Sequence, residues 1–449
     1  MSKYLKSFFV VLLALAMATP ALAVDVTVHG DLNNRFNLWT NQAQMYQGSE
    51  TVKKGNVVSD ETKSATWGEI KYRLWTELST NDGAVKGVYA IELGGLRFGD
   101  SEYGKGGGAT YSGDGVNIET RWAYTDFQLP FVQNKARVQI GLMPWTVNHY
   151  VWQETVMGVQ LKGDAGPVAY TLGWARGHEN QFDDAYSNAF DDADAFLLRG
   201  DFKPVDNVKV GVFGLWQRQD AYDGTTGIGT DANNAYEIKS FGGNQYNIYT
   251  FGTDGSFTAP VGLFVNWDAI YQGGTIDEPG DLDVSAYFLH ADVGMNLGKV
   301  RLTYTGWYAS GDDDPNDGDI NNFMSTDVDI SDSVVLFEGG YTDDNYFTEA
   351  PYILDRGMIL NKVAVDFQAT EKTKVGGALL YLMTAEDLDN GEDTLGTEID
   401  AYVSHKLYPN VEVALNAGYL FSDDGMDNFS ATGNADDIFR STMRVRYSF

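Results

Sequence analysis

The stretch from Ile438 to Phe449 constrains the fold more than any other. Phe439, Ser441, Met443, Val445, Tyr447 and Phe449 fall on one face, and Arg440, Thr442, Arg444, Arg446 and Ser448 on the other. Alternation of this kind is the period of a β-strand, whose successive side chains point to opposite sides of the pleat. The polar face carries Arg440, Arg444 and Arg446 and must see water, while the apolar face runs to the last residue. A strand of roughly 10 residues with one apolar and one ionic face suits a closed transmembrane barrel with its apolar side to lipid. An edge strand of a soluble sandwich would alternate too, so the rest of the chain decides.

Residues 1–23 read as a signal peptide. Lys3 and Lys6 precede an apolar run from Phe8 to Ala16, and Ala21-Leu22-Ala23 is a small-x-small cleavage site. The run is too short to span a bilayer, and with no Cys after it the chain is not a lipoprotein. The mature chain, 24–449, shows no linker or low-complexity boundary, and Pro is scarce at 10 in the full sequence, so a single domain is expected. It has no Cys; a barrel closed by a continuous ladder of backbone hydrogen bonds does not need disulfides.

From Val24 onward one pattern repeats: a two-faced strand, a short turn, another two-faced strand, a long polar loop. The first strand sets Val26, Val28, Leu32, Phe36 and Leu38 outward against His29, Asp31, Asn33 and Arg35 inward. Short turns centre on Asn81–Gly83, Pro130–Lys135, Asp164–Pro167, Pro204–Asn207, Thr258–Pro260, Leu297–Lys299, Thr370–Thr373 and Pro409–Asn410, where Asn, Asp, Gly and Pro dominate. Long connections lie near 40–66, 94–117, 144–156, 177–194, 218–245, 273–283, 311–355, 385–397 and 422–437. The expected fold is an all-β antiparallel barrel of about eighteen strands, or sixteen if the turn at Asp164 is not one. Trp174, Trp216, Tyr271, Tyr308, Tyr381 and Tyr419 fall near long-loop ends, and Phe202, Phe257, Phe367 and Phe449 near short-turn ends. Two aromatic rows bounding an apolar belt fit headgroup-level girdles.

Charge is unevenly placed. The chain carries 63 acids and 31 bases, a net −32. The loops 177–194, 273–283, 311–355, 385–397 and 422–437 contain no Lys or Arg and about half of the acids, so the negative charge belongs to one rim. That rim argues against nucleic acid as a partner. Inward faces are mixed. Closure would set the last strand beside the first, gathering Arg35, Lys71, Arg73, Arg121, Arg440, Arg444 and Arg446 on one basic wall, which an aqueous lumen would keep hydrated.

A carboxyl end of the form aromatic-x-Phe, Tyr447-Ser448-Phe449 with Val445 before it, resembles the assembly signal of Gram-negative outer-membrane barrels. The resemblance implies recognition of Val445, Tyr447 and Phe449 by the barrel-assembly machinery. Along its mature length the chain resembles general porins, and in Ser310–Phe323 and Leu395–Pro409 those of sulfate- and metal-reducing bacteria. The porin resemblance implies a homotrimer and outer-membrane lipid and lipopolysaccharide as neighbours, with divalent cations bridging rim carboxylates. It also implies a third loop that folds into the lumen, here 144–156, with Trp145, His149, Trp152 and Glu154. That segment is shorter and less acidic than the family's third loop.

Enzymatic signatures are missing. The five histidines show no metal-binding spacing, and there is neither a G-x-S-x-G elbow nor a C-x-x-C-H run. The G-x-G-x-x-A matches at 104–109 and 227–232 lie in loops, outside any strand–helix context. Asp312, Asp314, Asp317 and Asp319 suggest a divalent cation, although Pro315 and Met324 break an EF-hand register and leave only a looser oxygen site. No other cofactor is expected. The resulting reading is a passive, water-filled channel for small hydrophilic solutes and ions. A substrate-specific channel with an aromatic track, or a barrel sheathing a periplasmic cytochrome, are the alternatives.

Overall fold

The computed structural model describes residues 24–41, 64–80, 82–99, 118–130, 132, 136–178, 192–220, 237–238, 245–278, 281–314, 317–337, 341, 348–430 and 433–449. The signal-peptide residues Ala21 and Ala23, both glycine motifs and most of the first, second, fourth and fifth long connections lie outside them. In chain order the strands begin with β1 (Val24–Trp39), β2 (Ala65–Thr80), β3 (Val85–Arg97), β4 (Glu119–Gln128), β5 (Arg137–Asn148) and β6 (Trp152–Ala165). They continue with β7 (Val168–His178), β8 (Ala193–Val205), β9 (Val208–Gln219), β10 (Gln245–Thr258), β11 (Leu263–Glu278), β12 (Leu282–Leu297) and β13 (Val300–Ala309). After the two-residue β14 (Asp319–Ile320) come β15 (Met358–Gln368), β16 (Thr373–Met383), β17 (Thr394–Tyr408), β18 (Val411–Ser422) and β19 (Ile438–Ser448).

All nineteen strands belong to one sheet, and all but β14 form its closed wall, so the barrel has eighteen antiparallel strands. Each pairs with the next in sequence, β13 pairs directly with β15, and β19 closes the ring on β1 with Arg444 opposite Arg35. Phe449 completes the seam, its N–H donating to Gly30 O at 3.0 Å and its carbonyl accepting from Gly30 N at 2.9 Å. The turn at Asp164 is real: Gly166 sits there at φ +65, a conformation glycine adopts without strain. Two expected long connections are short. β5 and β6 consume most of 144–156, leaving 149–151 as a turn, and β11 and β12 leave only 279–281. Paired strands satisfy their own backbone groups, so the hairpins extend past the apolar belt wherever partners persist.

Outward residues such as Val26, Val28, Leu198, Phe251 and Val363 are exposed, whereas the large buried side chains lie inside the ring. The lumen therefore holds the core. Much of it comes from the described residues of the connection 310–357, which turn inward rather than standing on the rim. Its Phe323, Ile330, Val335, Leu336, Phe337 and Tyr352 pack against Trp39, Phe288, Trp307, Leu360 and Leu380 of the wall. β14 pairs parallel to the long-loop end of β12, Asp319 opposite Asp283, and opens this inward excursion.

Candidate functional site

The insert 310–357 is fastened to the wall through its backbone. Buried Glu398 on β17 accepts from Val335 N at 2.7 Å and Leu336 N at 3.4 Å, and Asp400 accepts from Val334 N at 3.2 Å. Cations take the carbonyls: Arg440 donates to Val334 O at 3.5 Å, Arg35 to Tyr341 O at 3.2 Å and Lys362 to Asp332 O at 2.5 Å. Across the lumen, the Gln272 side chain on β11 bonds both the N–H and the carbonyl of Met324. The cations are suited to this task because hydrogen bonds from ionised donors are roughly twice as strong as neutral ones.

The β5–β6 tip is a second insert, joined to the first. Asn148 donates to Asp254 on β10 at 3.1 Å and to Asp268 on β11 at 2.7 Å, strands far from its own in the ring. Tyr150 packs on Phe288 with centroids 4.4 Å apart and lies 5.0 Å from the ring of His290. Thr326 N donates to Val151 O at 2.7 Å, Gln153 N to Asp327 O at 2.9 Å, and Ser325 Oγ to Tyr150 O at 2.7 Å. Trp145 and Trp152 are buried with centroids 5.5 Å apart, Glu154 sits opposite Trp145 in register, and His149 stays exposed beside Gln153.

The seven expected wall cations do lie on neighbouring strands, but they do not form one open ladder. Arg35 and Arg440 are completely buried beneath the insert, Arg35 at 3.1 Å from Glu69 and Arg440 4.6 Å over the Trp39 ring. Nearer the short turns, Glu92 gathers Lys71 at 3.4 Å, Arg73 at 2.6 Å and Arg121. Arg444 pairs with Glu412 at 2.7 Å, and Arg446 donates to Asp31 at 2.8 Å. Acids interleaved on the same wall thus neutralise part of it, because a cation facing a lumen of limited polarity is stabilised by a nearby opposite charge. On the far side β8 to β12 present a mainly acidic network: Arg199 pairs with Asp201 and Asp254 at 2.6 Å, and His290 bridges Asp268 at 2.8 Å and Asp292 at 3.4 Å. A cavity of about 560 Å³ opens beside that network at the short-turn end, lined by Arg199, Asp201, Lys203, Lys209 and Asp254 among others.

At the expected acidic cluster two carboxylates bond nearby backbone N–H groups. Asp312 Oδ1 accepts from Asp314 N and Asp317 Oδ1 from Asp319 N, each carboxylate capping its own turn. Among the described residues the ligand atoms that come together, within 4.8 Å of one another, are those of a different trio, Glu237, Asp327 and Glu349. Burial first, and neighbouring acids next, raise the carboxyl of Asp312 (neighbours Asp355 and Asp317) and of Glu386 (neighbours Asp313 and Asp387). Asp355 is raised by burial and Asp389, against the pull of Arg356. The groups that sequence reasoning missed are Glu398, Asp400 and Gln272, whose partners are backbone atoms remote in the chain.

No family model matches the chain, and no curated protein matches it in sequence. Solved structures do match in fold, among them three from Pseudomonas aeruginosa. OccK9 (OpdG) superposes with a TM-score of 0.56 at 14% identity over 95% of this chain and 98% of that one. OccK5 (OpdH) gives 0.52 at 10% identity over 95% and 98%. OccK2 (OpdF), solved in complex with glucuronate, gives 0.53 at 13% identity over 94% and 98%. At such identities the likeness is one of fold alone. The resemblance to porins of sulfate- and metal-reducing bacteria gains no support from it.

Proposed function

We propose that this chain is an outer-membrane porin, a passive channel for small hydrophilic solutes and ions. The observation that carries the reading is the division of the wall between two solvents: an exposed apolar outer face, and an inner face that includes ion pairs partly open to water, such as Arg73–Glu92 and Arg446–Asp31. A polar lumen removes the dehydration barrier to crossing, and wall charges bias what enters. On this reading residues 1–23 direct export, Val445, Tyr447 and Phe449 are read by the assembly machinery, and the barrel sits as a homotrimer among lipid and lipopolysaccharide.

The two joined inserts favour a selective channel over a wide, general one, because they occupy the lumen between β8–β13 and β15–β19. The fold likeness to OccK2, solved with glucuronate, is compatible with that narrower reading. The same inserts speak against the sheath for a periplasmic cytochrome, since they fill the space a threaded partner would need. Planar-bilayer recording of the purified protein tests the proposal: discrete conductance steps in KCl are expected, and protein that inserts without conducting would refute it.

A further inference from the structure

Three half-buried rings form one patch on the lumen wall. His29 on β1 lies opposite Trp75 on β2 in register, and Ala90 on β3 lies opposite both Trp75 and Trp122 of β4. His29 and Trp75 stack with centroids 5.1 Å apart and planes at 20°, and Trp75 meets Trp122 at 5.9 Å and 68°. Ala90 faces the lumen with only a methyl group, yet it is 2% exposed, so the two indoles roof it from either side. Both are held in place: Trp122 donates to Thr155 Oγ1 at 3.3 Å with the Arg121 guanidinium 5.5 Å from its ring, and Trp75 is backed by His29. Toward the long loops lies the Arg73–Glu92–Arg121 cluster; toward the short turns lies Glu77, 3.4 Å from Lys86 and 3.9 Å from His29.

An apolar aromatic surface in a charged, wet lumen offers nothing to a small ion. It suits a solute with an apolar face and a polar rim, whose C–H groups can cover the rings while its hydroxyls reach charged side chains on both sides. Rings already fixed in orientation lose little entropy on such contact. We propose that His29, Trp75 and Trp122 form a binding subsite for a pyranose sugar, with Glu77 and Arg73 as the flanking hydroxyl partners. The proposal rests on the channel reading for its purpose, but its test does not.

Calorimetric titration of the folded protein in detergent with maltotriose should give saturable heat. Trp75→Ala and Trp122→Ala should each weaken binding about tenfold, as loss of an aromatic contact worth about 1.4 kcal/mol requires, while Trp75→Phe and Trp122→Phe should stay within about threefold. Folding is checked by heat-modifiable mobility. If an alanine variant does not fold, Glu77→Gln carries the test, with a loss of about tenfold expected for one charge-assisted bond. Absence of saturable heat, or binding unchanged in these variants, overturns the site and leaves the rings as wall packing. Saturable binding of benzoate but not maltotriose overturns the sugar assignment. A channel that conducts KCl but ignores maltotriose refutes this subsite alone; protein that binds maltotriose without conducting refutes the channel alone.

Discussion

Gln272, on the lumen side of β11, donates to the carbonyl of Met324 at 2.6 Å and accepts from the N–H of the same residue at 2.9 Å. A side-chain amide therefore does for the insert what a neighbouring strand would do, and it does so out of water. Both atoms of Met324 would be orphaned together if that amide were lost.

Gln272→Leu should accordingly loosen the insert where it crosses the lumen. An unsatisfied buried backbone group costs about 1–3 kcal/mol, enough to raise the opened fraction by roughly fivefold or more. The expected outcome is faster limited proteolysis near Met324 and noisier, larger single-channel currents, in a barrel that still shows heat-modifiable mobility. Unchanged proteolysis would mean that the insert is held without this residue.

The opposite clamp predicts a graded series. Glu398→Gln keeps a carbonyl acceptor for Val335 N but gives up the second carboxylate oxygen near Leu336 N, whereas Glu398→Leu removes both. Opening should rise modestly in the first and more in the second, since charged acceptors contribute about 1.5–3 kcal/mol against about 0.5–1.5 kcal/mol for neutral ones. Conductance ranked wild type, Gln, Leu supports the clamp. Equal values in all three would place the gate elsewhere.

The wall was legible in the sequence because each strand faces two solvents, and that enforces a period of two from Val24 to Phe449. Closure then followed from chain order, and Arg35 does sit opposite Arg444. The insert was not legible, because acids crowd the 311–355 segment and mark it as a rim loop. A signal was nonetheless present: Val334-Val335-Leu336-Phe337 is an apolar run in an otherwise polar loop, and it ends up buried. What no local pattern could show is that Glu398, one inward acid among many, would take Val335 N as its partner across 63 residues.

Acid should tighten the rim corner where Asp312, Asp355 and Glu386 meet Arg356. Their carboxyls are raised from ordinary values of 3.8, 3.8 and 4.5, so the folded corner binds protons more tightly than the opened one. Its stability is then greatest below those ordinary values and declines as pH rises through the raised ones. Limited proteolysis around 310–314 and 353–357 should be slower at the acid end of that range than at about pH 8. Asp355→Asn should slow cleavage at the higher pH and flatten the dependence. A corner that loosens in acid would contradict this assignment of burial and repulsion.

Ion selectivity should separate the wall cations into two kinds. Arg73 and Arg121 retain 29% and 23% of their side-chain exposure, and together with Lys71 they outnumber Glu92, so they present net positive charge to passing ions. Arg35 has none, being sealed against Glu69 and the Tyr341 carbonyl. Charges on the acidic rim are screened over about 10 Å at ~0.1 M salt and about 3 Å at ~1 M, whereas lumen charges within a few Å of the path keep their hold. In KCl gradients the double variant Arg73→Gln/Arg121→Gln should therefore shift the reversal potential toward cations, and the shift should persist at high salt. Arg35→Gln should leave the reversal potential alone and instead lower thermal stability, because breaking one side of a buried pair costs about 3–5 kcal/mol. If Arg35→Gln moves the reversal potential as far as the double variant does, the conducting path runs beneath the insert, and the burial of Arg35 does not describe the open channel.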